Sequence, residues 1–220
     1  KPPLIAWSIL ATTALFGEAE WAVRLSAPLY QTGAAAFLYL LCRRIAGPRE
    51  AFFAGLTWLT LPGVFLSASL VTTDAPLVFF WSAALYYYFI LTDEREENGK
   101  ARTAALLGTA IGLGFLSKYA MTYFALGAVL SLAISPSRRR AAGGLNLAIA
   151  AIVALSVFAP NIWWNAHNNF ETLAHTAANA DWSRDFGHAG QLFKFLGEQF
   201  GIAGPILLVL MLLAAFFGRR

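Results

Sequence analysis

Seven apolar runs, separated by more polar segments, restrict the folds that this chain can adopt. A helix needs about 20 mainly apolar residues to cross the hydrocarbon of a bilayer. Runs close to that length cover residues 25–42, 51–70, 75–92, 103–117, 119–135, 143–163 and 202–218. Only 13% of the 220 residues are charged and 58% are hydrophobic, which leaves too few polar groups to cover a soluble globule. The sequence therefore predicts an all-α, polytopic transmembrane helix bundle.

The runs also suggest how the chain is organised. Residues 1–24 are predicted to form an external juxtamembrane segment, in which 4–16 is too short to span and is expected to lie in the interface. Six spans follow over 25–163, with a tight turn at Lys118 between the fourth and the fifth. Residues 164–201 are predicted to form an external loop with amphipathic helices, for example 191–200, and 202–218 the last span. Because the chain begins without Met and ends directly after an apolar run, we expect it to be a piece of a longer membrane protein.

The positive charges assign the two sides of the membrane. When the loops are taken alternately, one set holds eleven of the sixteen cations and the other set holds five. Cytoplasmic loops carry the excess of Lys and Arg, so the side with eleven is predicted to be cytoplasmic. The net charge of +4 then reflects membrane anchors, and a nucleic-acid partner is not expected.

Two charged residues at external helix junctions are candidates for chemistry, because a charge near the bilayer is costly. Asp74 precedes Ala75-Pro76. It could act as a base or metal ligand, or simply cap a helix. Lys118 ends a predicted helix and could hold a phosphate. It could equally complement the helix dipole or reach the lipid headgroups.

Two further cations lie on the predicted external side. Lys1 precedes Pro2-Pro3, whose rings pre-order the backbone. Arg24 begins the first span and runs against the positive-inside trend. It could clamp a phosphate or anchor the interface together with Trp21, and local pairing is expected for the nearby Glu18 and Glu20. Together with Asp74 and Lys118, these charges suit a substrate linked to a lipid phosphate.

The predicted loop after residue 163 offers weaker candidates for contacts with a substrate. These are Trp164, Asn165 and His167. His167 and His175 are eight residues apart and would share one face of a continuous helix, but two histidines alone make a weak metal site. No metal-binding residues are assigned.

Five short motifs carry a resemblance to a known family. Lys1-Pro2-Pro3-Leu4 resembles the [His/Lys]-Pro-Pro-Leu motif of bacterial family 39 and aminoarabinose-transferase-like glycosyltransferases, and Ala22-Val23-Arg24-Leu25 resembles the Ala-x-Arg-Leu that follows it. Three later segments resemble the second acidic motif, the Gly-x-Gly-x-Leu-[Ser/Thr]-Lys turn and the Pro-x-x-x-Trp-Asn stretch of the same enzymes. They are Thr73-Asp74-Ala75-Pro76-Leu77, Gly112-Leu113-Gly114-Phe115-Leu116-Ser117-Lys118-Tyr119 and Pro160-Asn161-Ile162-Trp163-Trp164-Asn165.

The resemblance implies a membrane glycosyltransferase of the GT-C type in the bacterial inner membrane. Such an enzyme transfers a sugar, usually with inversion, from a polyprenyl-phosphate donor to a lipid or protein acceptor on the outer face. By this resemblance Lys1 contacts the lipid phosphate with Arg24 as a helper, Asp74 is the second acidic residue, and Lys118 and Tyr119 line the cavity. The family's principal carboxylate lies upstream of the Pro-Pro motif, so the chain alone is expected to be inactive. A divalent metal ion could assist, but no metal-ligand spacing in the sequence demands one, and no cofactor is assigned.

Two other classes of protein remain open from the residues alone. A transporter or lipid flippase with an external phosphate site would also need several spans, but it predicts internal repeats and paired broken helices. A scaffold subunit of a membrane assembly predicts no clustering of external charges.

Overall fold

The computed structural model describes residues 2–96, 98–179 and 189–217. All regular secondary structure in these ranges is helical, which confirms the predicted all-α class. The helices are α1 (Leu4–Phe16), α2 (Glu20–Arg24), α3 (Ser26–Ile45), α4 (Pro48–Thr60), α5 (Pro62–Ser69), α6 (Asp74–Thr92), α7 (Lys100–Ser117), α8 (Met121–Ile134), α9 (Pro136–Ala142), α10 (Gly144–His167), α11 (Glu171–Asn179), α12 (Ala189–Ala203) and α13 (Pro205–Phe217).

The long helices pack side by side, with α7 between α6 and α10 and with α3 between α4 and α6. Aromatic pairs such as Tyr30 with Phe79 and Phe37 with Tyr86 join α3 to α6. Trp81 contacts Phe124 of α8. The buried core lies mainly along α6 and α7, whereas many large apolar side chains on α8, α10 and α13 are exposed. Such an apolar surface suits lipid rather than water.

Small residues allow α7 to approach α10 closely. Gly108 and Gly112 are four residues apart on α7 and face Ala150, Ala154 and Val157 of α10. A Cβ atom at Gly112 would lie 2.8 Å from the carbonyl oxygen of Ala154. Glycines at this spacing are typical of tight helix contacts in membranes.

The predicted spans correspond to helices, but their number stays a prediction. Three single segments among the described residues are long and apolar enough to cross a membrane, Glu20–Ile45, Asp74–Thr92 and Gly144–His167. The pairs Pro48–Thr60 with Pro62–Ser69 and Leu192–Ala203 with Pro205–Phe217 are bent by 57° and 106°, and they raise the number to five if each is one span. The other two predicted spans are α7 and α8, which have 18 and 14 residues.

The connection between α7 and α8 is the predicted tight turn, because α7 ends at Ser117 and α8 begins at Met121. The structure differs from the sequence prediction at the end of α10, where a span ending at residue 163 was expected. α10 continues to His167, and the chain then turns through Asn169 and Phe170, whose φ angles are 50° and 56°. His167 and His175 therefore lie on different helices rather than on one face.

The alternating helices create two ends with different chemistry. We call the end that contains Ser69, Asp74 and Lys118 the Asp74 end, and the opposite one the Arg44 end. At the Arg44 end, Arg44 pairs with Glu96, and Lys100 donates to the carbonyl oxygen of Ala141. This arrangement places three of the predicted cytoplasmic loops, those that carry Arg44, Lys100 and Ala141, together at one end of the bundle.

Candidate active site

An ion pair between Asp74 and Lys118 occupies the Asp74 end. Asp74 is the first residue of α6, since Thr73 takes the N-cap position, and Lys118 follows the last residue of α7. The Lys118 backbone is extended, with φ −160°, which ends the helix. Lys118 Nζ donates to Asp74 Oδ1 over 2.7 Å. The carboxylate thus bonds to a lysine at the end of another helix, so simple helix capping does not account for it.

A cavity of 980 Å³ opens around this pair. Three segments close to Asp74 and Lys118 form its walls: the start of α1, the α5–α6 connection and the α7–α8 turn; His175 and Thr176 of α11 complete it. Among its lining residues are Pro2, Asp74, Lys118, Tyr119 and His175. The cavity is large enough for a sugar ring, since ligand pockets have volumes of about 300–1,000 Å³.

Lys1, the predicted phosphate ligand, lies outside the described residues. Its neighbour Pro2 is buried and lines the cavity. The structure therefore brings together Asp74, Lys118, Tyr119 and the start of the Pro-Pro motif.

Tyr119 is fixed by a hydrogen-bond network. Its hydroxyl donates to Asn161 Oδ1 over 2.8 Å and accepts from Asn165 Nδ2 over 3.3 Å. This network ties the turn that carries Lys118 to α10. Tyr119 also stacks edge-on against Phe158, with ring centroids 6.1 Å apart.

Asn165 has a different position from the one predicted for a loop contact. Its side chain is buried, and Nδ2 donates to the Asn161 carbonyl oxygen over 2.9 Å. Its Oδ1 accepts from the Thr172 backbone N–H over 3.2 Å. Because both ends of the amide form hydrogen bonds within the protein, Asn165 joins α10 to α11.

The other two residues predicted as loop contacts, Trp164 and His167, differ in whether they line a cavity. Trp164 lines a second cavity of 380 Å³ together with Glu171, Thr172 and His175. His167 lines neither cavity. Its ring packs on Trp163 with centroids 4.5 Å apart, and its Nδ1 lies 2.8 Å from the Trp163 carbonyl oxygen.

Arg24 is engaged locally, as the sequence suggested for its acidic neighbours. Its Nη2 lies 2.7 Å from Glu20 Oε1, and its Nη1 donates to the Ser69 carbonyl oxygen over 3.1 Å. Arg24 therefore links α2 to the end of α5 and does not line the cavity. A role in phosphate binding stays a prediction.

Sequence reasoning missed the position of His175 at the cavity around Asp74 and Lys118, which we call the Asp74 cavity. The signal was local: Glu171 and His175 are four residues apart, which places them on one face of α11.

Within the described ranges, no group of three or more His, Cys, Asp or Glu side chains lies close enough together to hold a metal ion. The participation of a divalent ion stays a prediction.

Residues 1–164 match the family model of the dolichyl-phosphate-mannose-protein mannosyltransferases. The chain belongs to this family. The match includes Asp74, Lys118 and Tyr119, and it confirms the resemblance read from the motifs.

Curated relatives extend over nearly the whole chain. Lipid A galacturonosyltransferase RgtD from Rhizobium johnstonii is 38% identical over 217 residues, which is 98% of this chain and 45% of the relative. An undecaprenyl phosphate-alpha-4-amino-4-deoxy-L-arabinose arabinosyl transferase from Pseudomonas fluorescens is 27% identical over 98% of this chain and 38% of its own length. The chain thus spans less than half of the length of these relatives.

A solved structure supports the fold. The crystal structure of ArnT from Cupriavidus metallidurans in the apo state matches with a TM-score of 0.66 and 23% sequence identity. The match covers 77% of this chain and 32% of that chain. It confirms the GT-C-like membrane helix architecture.

Proposed function

We propose that the protein containing this chain is an inverting membrane glycosyltransferase. It moves a sugar from a polyprenyl-phosphate donor to a lipid acceptor on the extracytoplasmic face of the bacterial inner membrane. The observation that carries this proposal is the Asp74–Lys118 pair inside a cavity at one end of the helix bundle. Family membership supports it over a transporter or flippase.

The paired charges suit the two demands of the reaction. An acceptor hydroxyl or amine attacks the anomeric carbon, the bond from that carbon to the phosphate oxygen breaks, and polyprenyl phosphate leaves. The acceptor must lose a proton, and the phosphate gains negative charge. In our assignment Lys118 stabilises the departing phosphate, and Asp74 is one of the carboxylates that handle the acceptor proton.

Chemistry and position also support the remaining roles. Lys1 is assigned to the lipid phosphate, because Pro2 next to it lines the cavity. Tyr119 lines the same cavity and is held by Asn161. The relatives include a lipid A galacturonosyltransferase and an undecaprenyl phosphate aminoarabinose transferase, which favours a lipid acceptor over a protein.

The distribution of charge supports the extracytoplasmic side for the cavity. The Arg44 end holds most of the cations, and the positive-inside rule favours a cytoplasmic position for that end. The Asp74 cavity then opens on the opposite face, where we place the lipid acceptor.

A transfer assay with the full-length protein tests the proposal. The purified protein is incubated in detergent with lipid A and a radiolabelled polyprenyl-phosphate sugar, with galacturonate and 4-amino-4-deoxy-L-arabinose as the two sugars offered. We expect labelled lipid A with at least one donor. Asp74→Asn should lower this transfer by about 10²–10⁴-fold, the range typical of a lost acid–base group.

Glu18→Gln is the matched control, because Glu18 is an exposed carboxylate in the α1–α2 connection and lines neither cavity. It should transfer at the unsubstituted rate. Equal activity of Asp74→Asn and the unsubstituted protein would remove Asp74 from the mechanism. Transfer to a protein substrate in place of lipid A would overturn the lipid acceptor.

A further inference from the structure

We propose that the second cavity, lined by Trp164, Glu171, Thr172 and His175, binds the saccharide part of the acceptor. This inference rests on the proposed function and names the place of one of its two substrates. We call this cavity the Trp164 cavity.

The position of the Trp164 cavity fits a second substrate. His175 lines both cavities, so the two are neighbours that share one wall. A transferase must hold two substrates with their reacting atoms about 3–3.5 Å apart. Adjoining cavities with a shared residue meet that need, because an acceptor held in one can extend a hydroxyl into the other.

The charges distinguish the occupants. The Asp74 cavity is lined by Lys118, a cation suited to the donor phosphate. Among the described residues, four line the Trp164 cavity; none of these four is Lys or Arg, and Glu171 is a carboxylate. A carboxylate repels a phosphate and accepts hydrogen bonds from hydroxyl groups. The Trp164 cavity therefore favours a polyhydroxylated ring over the phosphate of the donor.

Trp164 adds an apolar surface that a sugar ring can contact. Trp164 is partly exposed, at 43%, and its indole offers a flat apolar surface with one N–H donor. Specific pockets combine such apolar surface with a few placed polar groups. A sugar ring has apolar C–H faces and polar edges, and it can contact the indole and Glu171 at the same time.

The walls of the Trp164 cavity are held in place before any ligand binds. Trp164 belongs to α10, whereas Glu171 and His175 belong to α11. Asn165 fastens the two helices through its bond to the Thr172 backbone N–H. At the corner between them, Asn169 and Phe170 have left-handed backbone, a conformation that is uncommon for residues other than glycine and clusters at functional sites.

Binding of each substrate alone to the full-length protein in detergent tests the inference. Radiolabelled lipid A is titrated without donor, and a polyprenyl-phosphate sugar is titrated without lipid A. We expect Trp164→Ala to weaken lipid A binding about tenfold, as for truncation of an aromatic anchor, and Glu171→Gln to weaken it as well. The donor affinity should stay unchanged in both variants.

Two control variants match these changes. Trp163→Ala removes the neighbouring indole, which packs on His167 and lines neither cavity. Glu198→Gln removes an exposed carboxylate on α12. Both should bind lipid A like the unsubstituted protein, and thermal unfolding of every variant in detergent checks that the fold is retained.

The other outcomes are decisive as well. Unchanged lipid A binding in Trp164→Ala and Glu171→Gln overturns the inference. Weaker donor binding in these two variants, with lipid A binding unchanged, overturns it as well. So does a lack of lipid A binding by the unsubstituted protein. Transfer is measured separately. A protein that binds lipid A through Trp164 but transfers no sugar contradicts the proposed function and supports the Trp164 cavity.

Discussion

Lys118 Nζ lies 2.7 Å from Asp74 Oδ1, although 44 residues separate them in the sequence. The two side chains are 46% and 53% exposed, so water screens their attraction. An exposed ion pair of this kind contributes about 0–1 kcal/mol to stability. Such a weak pair can open at low cost, which leaves Lys118 able to exchange the carboxylate for the phosphate of a substrate.

Replacement of Lys118 should damage transfer far more than folding. We expect Lys118→Gln to lower kcat by about 10²–10³-fold, the cost of losing one donor to a developing oxyanion. The unfolding temperature of the full-length protein in detergent should barely change. Lys118→Arg keeps the charge and should retain more activity than Lys118→Gln. Equal losses in both variants would show that the positive charge itself is not what matters.

A charge swap separates a structural ion pair from a functional one. The double variant Asp74→Lys with Lys118→Asp keeps two opposite charges at the same junction, so any purely structural role should be restored. We expect the double variant to remain inactive in the transfer assay, because the phosphate would then meet a carboxylate where it needs a cation. Recovery to more than half of the unsubstituted rate would assign the pair to stability alone.

Some features of the fold were predictable from the sequence for a physical reason. Apolar runs and the alternation of cations specify helices and their ends, because the bilayer enforces both. The turn at Lys118 followed from two runs too long to be one span. The extension of α10 to His167 was not predictable, since its last turn contains Asn165 and other polar residues that resemble a loop.

The site was predictable in part. Asp74 and Lys118 were visible because charges are rare near apolar runs. The sequence did not reveal that they pair with each other, because that contact depends on how α6 packs against α7. His175 and Asn165 were misjudged for a similar reason, as a corner with left-handed residues at Asn169 and Phe170 sets their positions.

Close packing of α7 on α10 predicts a large effect from a small substitution. In Gly112→Ala the new methyl group would meet the Ala154 carbonyl oxygen at 2.8 Å, and overpacking of this kind costs about 1–3 kcal/mol. We expect a lower unfolding temperature in detergent. Gly127→Ala in α8 is the control, because nothing lies within 4 Å of its added Cβ. A Gly112→Ala variant as stable as Gly127→Ala would refute the packing of these two helices.

The buried amide of Asn165 should be needed for the corner between α10 and α11. Asn165→Leu removes the oxygen that accepts from the buried Thr172 N–H, and a buried group left unsatisfied costs about 1–3 kcal/mol. We expect faster proteolysis after α10 and weaker lipid A binding. Asn168→Ala is matched to it, since Asn168 is exposed and its side chain only donates to the Trp164 carbonyl oxygen. Equal proteolysis of the two variants would contradict the fastening role.

Cysteine labelling can establish which face of the membrane holds the Asp74 cavity. Cys42 is the only cysteine in the sequence, so Cys42→Ala gives a background without thiols in this chain. Glu20→Cys then marks the Asp74 end, where Glu20 is 80% exposed, and Glu94→Cys marks the Arg44 end. We expect a membrane-impermeant maleimide to label Glu20→Cys in cells with a permeabilised outer membrane, and to label Glu94→Cys only after the inner membrane is opened. The reverse pattern would place the cavity in the cytoplasm and overturn the extracytoplasmic assignment.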